Sequence, residues 1–394
     1  MGPRVRLAHL DGSPPWVPPT RDDQRAAPTG RRPVPLSILA WDHPRATGPL
    51  AACRGAWERR TGQRLEIVTR SLASFGDDVP AAGEHDLVLI DHPHVGRAAA
   101  DGAILALDDL LEPGQLSVLA TASAGASHDS YRHDGRQWAI AVDAACQALA
   151  IAPGARAAPP ATWDAVLALS RAHPGRVALP LHPAHAVSAL LSLLAAADPG
   201  GWRAGFDHPV NLRWATATLA ALAGAGPAEA WDWEPPDALA RLAGGELVCV
   251  PLVYTYVGYA VHWAPAPACR PGGRPGSILG GVGAAVLAGA ADPRAAARLA
   301  AWLGSPEVAR ELVGPAGGQP ASGGAWTAAG ADAMFAAVLR TLEVAEMRPR
   351  GAWWPECQRA CGELLADGLR CAAEPDELAT ELSAVYHHHH EVTA

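Results

Sequence analysis

Lysine is absent from this 394-residue chain: all 31 basic residues are arginine, against 40 Asp and Glu, for a formal net charge of −9. Without lysine there is no Schiff-base nucleophile, no pyridoxal enzyme, no P-loop lysine and no kinase-type lysine. An acidic chain with no polybasic run also lacks the clustered positive charge that phosphate neutralisation requires, so nucleic acid is not an expected partner. Long apolar runs are missing too. The richest, Val187 to Ala197, is about half the ~20 residues of a membrane span and reads as a buried helix. No Gly-x-Ser-x-Gly elbow occurs, and Ser127-His128-Asp129 are adjacent in sequence, which is not how a triad assembles. Gly281-Val282-Gly283 has Val286 where a dinucleotide fingerprint needs its third glycine, so it reads as a Gly-rich strand and no cofactor is expected. Seven cysteines, odd in number and scattered, suggest no disulfide framework. Cys357 and Cys361, one helical turn apart, are better read as small buried thiols than as a metal clip.

The chain is 49% hydrophobic, enough to fill two domains of roughly 150 residues each. Forty Gly and 36 Pro without a collagen period imply a loop-rich fold. Abundant Ala, Gly, Pro, Arg and Trp beside rare Phe, Asn and absent Lys is the pattern of a GC-rich coding sequence, so the 14 Trp are discounted as evidence of a sugar-stacking array. Residues 1–34, with Pro14-Pro15-Trp16-Val17-Pro18-Pro19 and no apolar core, read as a disordered extension rather than a secretory signal. Residues 387–394, with the four-His run His387 to His390, read as a solvated tail.

Between these ends, strands alternate with helices, the pattern of an α/β layer with a mostly parallel sheet. Strands are expected at Leu36–Trp41, Leu65–Val68 and Asp86–Ile90, the last almost continuously apolar as if buried on both faces. Further strands are expected at Gln137–Val142, Val177–Leu181, Glu246–Val253 and Ile278–Val286, with Thr162 or Asp164 capping a helix between them and a mainly helical end after about Asp292. In such sheets ligands bind beyond the carboxyl ends of the strands. Asp42 and His43, Asp91, His92 and His94, and the exit His182-Pro183-Ala184-His185 all fall there.

The order of these pieces resembles the extracellular solute-binding proteins of carbohydrate-type ABC importers, the maltodextrin-binding type. The likeness spans roughly Leu36 to Tyr386. It rests on the turn at Trp41-Asp42, the unit Asp86-Leu87-Val88-Leu89-Ile90-Asp91, and Leu105-Ala106-Leu107-Asp108-Asp109-Leu110-Leu111. It continues through a crossover at Trp138 to Gln147, an aromatic segment at Pro251 to Tyr259 and a return strand from Leu279 to Val286. Trp302-Leu303-Gly304-Ser305-Pro306-Glu307-Val308, Gly317-Gly318-Gln319-Pro320 and Arg348-Pro349-Arg350 complete it. The resemblance implies a type II clamshell of two α/β lobes, each with a mostly parallel sheet flanked by helices, closing on a solute. Lobe 1 would comprise residues 35–142 and 279–315, and lobe 2 residues 143–278 and 316–386.

What the resemblance implies for the site is a set of rim polar groups and stacking rings. Trp41, Asp42 and His43 would line the first-lobe rim, with Asp91, His92 and His94 approaching from the next strand exit. Asp143 would be a hinge-side carboxylate, Tyr254 and Tyr256 a second-lobe aromatic platform, and Trp353 or Trp354 a further stacking ring. Carboxylates and imidazoles bond hydroxyls while aromatic faces cover the apolar side of a sugar ring. The implied partners are a small polar solute and an ABC permease, for a monomer outside the cytoplasmic membrane. A second reading stays open on the residues: with no signal segment visible, an enzyme or sensor inside the cell could use the same clamshell and its His/Asp-rich cleft, with or without a metal. Asp91-His92-Pro93-His94, with His43 or His185, has ligand chemistry suited to zinc or iron, but a hydrogen-bonding rim or structural turn is the commoner use of such a cluster, and no metal is expected.

Overall fold

The computed structural model describes residues 34–72, 75, 84–155, 158–198, 200–328 and 331–392. Apart from Val34, the extension expected over residues 1–34 lies outside them. The strands are β1 (Leu36–Trp41), β2 (Leu65–Arg70), β3 (Leu87–Ile90), a short hairpin β4 (Arg132–His133) and β5 (Arg136–Gln137), β6 (Ala139–Ile151), β7 (Cys249–Tyr254), β8 (His262–Ala264) and β9 (Leu279–Val286). One seven-stranded sheet runs β2-β1-β3-β9-β6-β7, with β8 on β6.

Two α/β lobes share that sheet. The expected parallel arrangement is found in β2-β1-β3. Every other neighbour pair in the sheet is antiparallel, because β6 and β9 are connections running between the lobes rather than members of a βαβ series. β6 is longer than the expected Gln137–Val142: its first half pairs with β9 and its second half with β7 and β8. The expected strand at Val177–Leu181 is reduced to one bridge between Val177 and Cys249. Pro180, which has no N–H to give a ladder, accounts for its interruption.

The helices that position the cleft start from local signals. α1 (Pro44–Thr61) begins where the His43 Nδ1 accepts from the Arg45 N–H, carries proline in its first turn and stops at Gly62 in the left-handed region. α2 (Pro183–Ala197) is the buried helix expected from its apolar run. α3 (Pro235–Ala243) opens on Glu234, and α4 (Pro293–Leu303) on Asp292, whose carboxylate accepts from the Ala295 N–H. After α5 (Ala333–Val344), an extended segment through Arg348 and Arg350 leads to α6 (Trp354–Arg370) and α7 (Pro375–Val392). His387 to His390, expected in a solvated tail, are therefore helical, with the His390 ring edge-on to Trp353 at 5.2 Å. Cys357 and Cys361 are buried on one face of α6 with their sulfurs 3.9 Å apart. Among the described residues no helix is long and apolar enough to cross a membrane.

One core packs β1, α1 and α4 together, and another gathers α2, α3, β7, α6 and α7. Trp326, Met334, Phe335, Val338 and Leu342 share a third core with Leu39, Val88 and Ile90 and with β6 from Ala139 to Ala148, and Thr341 of α5 accepts from the Ala266 N–H. Where β6 and β9 cross, the register slips around Val142, and Gly281 lies at φ 110°. A Cβ on Gly281 would stand 2.3 Å from the Asp143 carbonyl oxygen, so both its backbone angle and its neighbour exclude a side chain. Gly281→Ala is expected to cost about 2–3 kcal/mol in chemical denaturation; a midpoint matching that of the parent protein would refute this account of the crossing.

Candidate functional site

The sheet crossing forms the floor of a cavity of about 170 Å³. That is more than ten times the roughly 10–15 Å³ that one water needs. Ala145 of β6 and Gly280, Gly281 and Val282 of β9 make the floor. The first lobe contributes Trp41 at the end of β1, Arg45 of α1, Leu72, Phe75 and Asp91 after β3. The second contributes His182, His185 and Ser188 around the start of α2, Glu234 before α3, and Tyr254 and Tyr256 leaving β7. Arg348 and Gln358 close one end. Gly280 is needed where it stands: a Cβ there would come within 2.7 Å of the Tyr254 ring, which lies against the strand.

Two buried guanidinium groups organise the walls. Arg45, 6% exposed, donates from Nε to Asp143 Oδ2 at 2.8 Å and from its terminal nitrogens to Asp143 Oδ1 and to the Thr255 carbonyl. Its guanidinium also stands 4.5 Å from the centre of the Tyr256 ring. Burial works against that charge, and the Asp143 carboxylate more than offsets it, holding the Arg45 pKa above its ordinary value. A first-lobe helix is thereby tied to the crossing strand and to the second-lobe aromatic segment by one side chain.

Arg348 does the corresponding work at the other end. It donates to Asp91 Oδ2 at 2.6 Å, reaches Gln358 Oε1 at 3.4 Å, and gives its backbone N–H to His92 Nε2 at 3.1 Å. Burial opposes ionisation of Asp91, but Arg348 and the adjacent His92 outweigh it and hold the carboxyl well below the usual carboxylate range. His92 is fully buried, and burial pushes its imidazole down to about 4. Trp41 Nε1 and Arg348 Nε, both in cleft-lining side chains, have no hydrogen-bond partner among the described residues.

Of the residues expected at the site, Trp41, Asp91, Tyr254 and Tyr256 line the cavity and the others do not. Asp42 points to solvent, and His43 is used to start α1, its ring edge-on to Tyr256 at 5.0 Å. His92 holds the backbone of Arg348, and His94 is buried in the turn after β3. Asp143 stands behind the wall, paired to Arg45, and lines a smaller neighbouring cavity. Trp354 is a core residue that reaches the cleft only at one remove, its Nε1 donating to Gln358 Oε1 at 3.1 Å, while Trp353 packs toward α7. Both rings sit on the far side of Gln358 because α6 turns that face into the second-lobe core. Arg45, Arg348, Ser188 and Glu234 are cleft residues that the sequence did not single out for the site. Arg348 lies in the Arg348-Pro349-Arg350 motif, and His182 and His185 lie at the exit of the Val177–Leu181 segment. Nothing in the local pattern around Arg45 or Glu234 distinguishes either from a solvated charge. No group of three or more His, Cys, Asp or Glu among the described residues is arranged to hold a metal ion.

Residues 77–329 match the family of bacterial extracellular solute-binding proteins. The chain belongs to that family. The fold of this solute-binding protein is shared by solved structures at low sequence identity. Maltose-bound MalE3 of T. maritima is 16% identical, with a TM-score of 0.72 over 90% of this chain and 99% of that one. A solute-binding protein of an ABC transporter from Agrobacterium radiobacter K84, in complex with ribitol, is 19% identical, with a TM-score of 0.72 over 89% and 97%. The GacH receptor of Streptomyces glaucescens, solved unliganded and with acarbose, is 15% identical, with a TM-score of 0.72 over 91% and 99%. No curated protein sequence matches the chain.

Proposed function

We propose that this solute-binding protein captures a sugar or polyol between its lobes and delivers it, chemically unchanged, to an ABC permease outside the cytoplasmic membrane, acting as a monomer. The observation that carries the reading is the composition of the cavity: side chains from both lobes meet over the crossing strands, with Trp41, Tyr254 and Tyr256 as flat walls and Asp91, Ser188 and Glu234 as polar groups between them. Flat rings cover the C–H faces of a sugar while a few fixed polar groups orient its hydroxyls. That relatives of the same fold were solved with maltose and ribitol supports the ligand class. We further infer that the lobes divide at residues 142/143 and 278/279, beside the crossing of β6 and β9. The enzymatic or sensing alternative is not favoured: Asp91 and His92, the acid–base pair it would use, are both engaged by Arg348.

Calorimetric titration and thermal shift with a panel of sugars and polyols test the reading. A true ligand at about 100 times its Kd should stabilise the protein by about 2.7 kcal/mol. Tyr254→Ala should weaken that ligand at least tenfold while the protein still melts cooperatively. Silence across the whole panel would refute the proposed ligand class.

A further inference from the structure

The carboxylates at the cleft are not all matched in the same way. Arg45 is paired with Asp143 and Arg348 with Asp91. Among the described residues, the Glu234 carboxylate has imidazoles beside it and no guanidinium. It stands at the head of α3, where its backbone N–H donates to Asp237 Oδ2 at 2.9 Å. One carboxylate oxygen meets His185 Nε2, and the other lies 3.6 Å from His182 Nδ1. These contacts favour the ionised carboxylate: burial opposes it, but the hydrogen bond from His185 together with the electrostatic effect of His185 and His182 outweighs burial and keeps the Glu234 carboxyl below its ordinary pKa. About a quarter of the Glu234 side chain, 26%, stays exposed, and the residue lines the cavity.

The surroundings suit a cation. The His185 and Tyr254 rings stand T-shaped at 6.1 Å, so the Tyr254 ring, over which the Arg348 guanidinium lies at 5.9 Å, flanks the same corner as the carboxylate. Aromatic faces attract positive charge, and a carboxylate beside one makes a site for a protonated amine. The guanidinium groups do not make a matching site for an acid, because each already has its own carboxylate in the wall. Ser188, also in the cavity wall, supplies a hydroxyl for a sugar oxygen.

We propose that the cleft selects solutes in which a sugar or polyol carries a basic amine, with the ammonium group at Glu234. The inference rests on the solute-binding reading above and narrows it to a charge class. It predicts an order of affinity within matched compounds that differ in charge.

Two trios test it by calorimetry at pH 7.5: glucosamine, glucose and glucuronate, and the open-chain glucamine, sorbitol and gluconate. In whichever trio binds, the amine is expected to bind at least tenfold tighter than the neutral compound, and the acid most weakly. Glu234→Gln should bring the ratio of amine to neutral affinity close to one. A neutral or acidic member that binds tightest overturns the charge assignment and leaves the solute-binding reading standing. So does silence from all six compounds when another neutral sugar of the wider panel binds. Silence across the entire panel overturns the sugar and polyol reading itself.

Discussion

Arg45→Met is expected to destabilise the protein by about 3–5 kcal/mol, among the largest losses available to a single substitution in this chain. The reason is not the value of the Arg45–Asp143 pair in itself, since bringing two charges out of water costs about what their attraction returns. It is what remains when one partner goes: Asp143, 6% exposed on the crossing strand and already raised in pKa by burial, would be left without a counter-charge, forced to hold a stranded charge or take up a proton. Arg45 also loses its bond to the Thr255 carbonyl and its place over the Tyr256 ring, so the cleft wall should loosen as the fold weakens. Thermal unfolding should show a fall in Tm on the order of 10 °C. The double substitution Arg45→Met with Asp143→Leu should recover a large part of the loss, because removing both charges removes the stranded one. A single variant within 1 kcal/mol of the parent, or a double variant worse than the single, would show that the pair does not work in this way.

The second large effect depends on pH. His92 is fully buried with its Nε2 committed as the acceptor for the Arg348 N–H, and its pKa is lowered to about 4 from an unfolded value near 6.5. Between those two values the unfolded chain takes up a proton that the folded protein refuses. The stability contributed by neutral His92 is therefore complete above about pH 6.5 and is lost progressively as the pH falls toward 4, on the order of 3 kcal/mol in all. Asp91, whose pKa is depressed by Arg348, works in the same direction but lower, since its contribution is lost only below the ordinary carboxylate range. His92→Gln keeps an acceptor near the Arg348 N–H and cannot titrate, so its Tm should fall less between pH 7 and pH 4.5 than that of the parent. His43 and His128, also lowered by burial, remain in both proteins and drop out of the comparison. Parallel Tm curves for the two proteins would remove His92 from the acid response.

The sequence made the layers of this fold easy to read and the joints between them hard. β3 is apolar without interruption and β1 and α2 are mostly apolar, and such runs leave few alternatives once a parallel layer is assumed. β6 was cut short because Asp143 and Gln147 look like the polar end of a strand, whereas both are buried with partners, Arg45 for one and Ser192 for the other. Buried polar residues satisfied from distant parts of the chain carry no local signal. The site divides in the same way. Trp41, Asp91, Tyr254 and Tyr256 follow strands whose ends could be located, so their arrival at the cleft follows from topology. Arg45 and Arg348 are arginines, a residue type ordinarily expected at the surface, and only the meeting of chain segments 98 and 257 residues apart gives each its carboxylate. Trp353 and Trp354 were near enough to the right place to be mistaken for cleft residues, and helix rotation alone puts Gln358 between them and the cavity.

β9 is the partner that completes the open edge of β3, yet it is separated from β3 by the chain from Asp91 to Ile278. A ribosome adding ~5–20 residues per second would take roughly 10–40 s to make the stretch between them. During that interval the first-lobe strands already synthesised carry an exposed ladder edge and a half-built apolar layer, the features that invite pairing with other chains. The other core is incomplete over the same interval, because α6 and α7, which pack with α2, α3 and β7, are made last. Production of this protein should therefore respond strongly to translation speed and to holding chaperones that cover nascent strands.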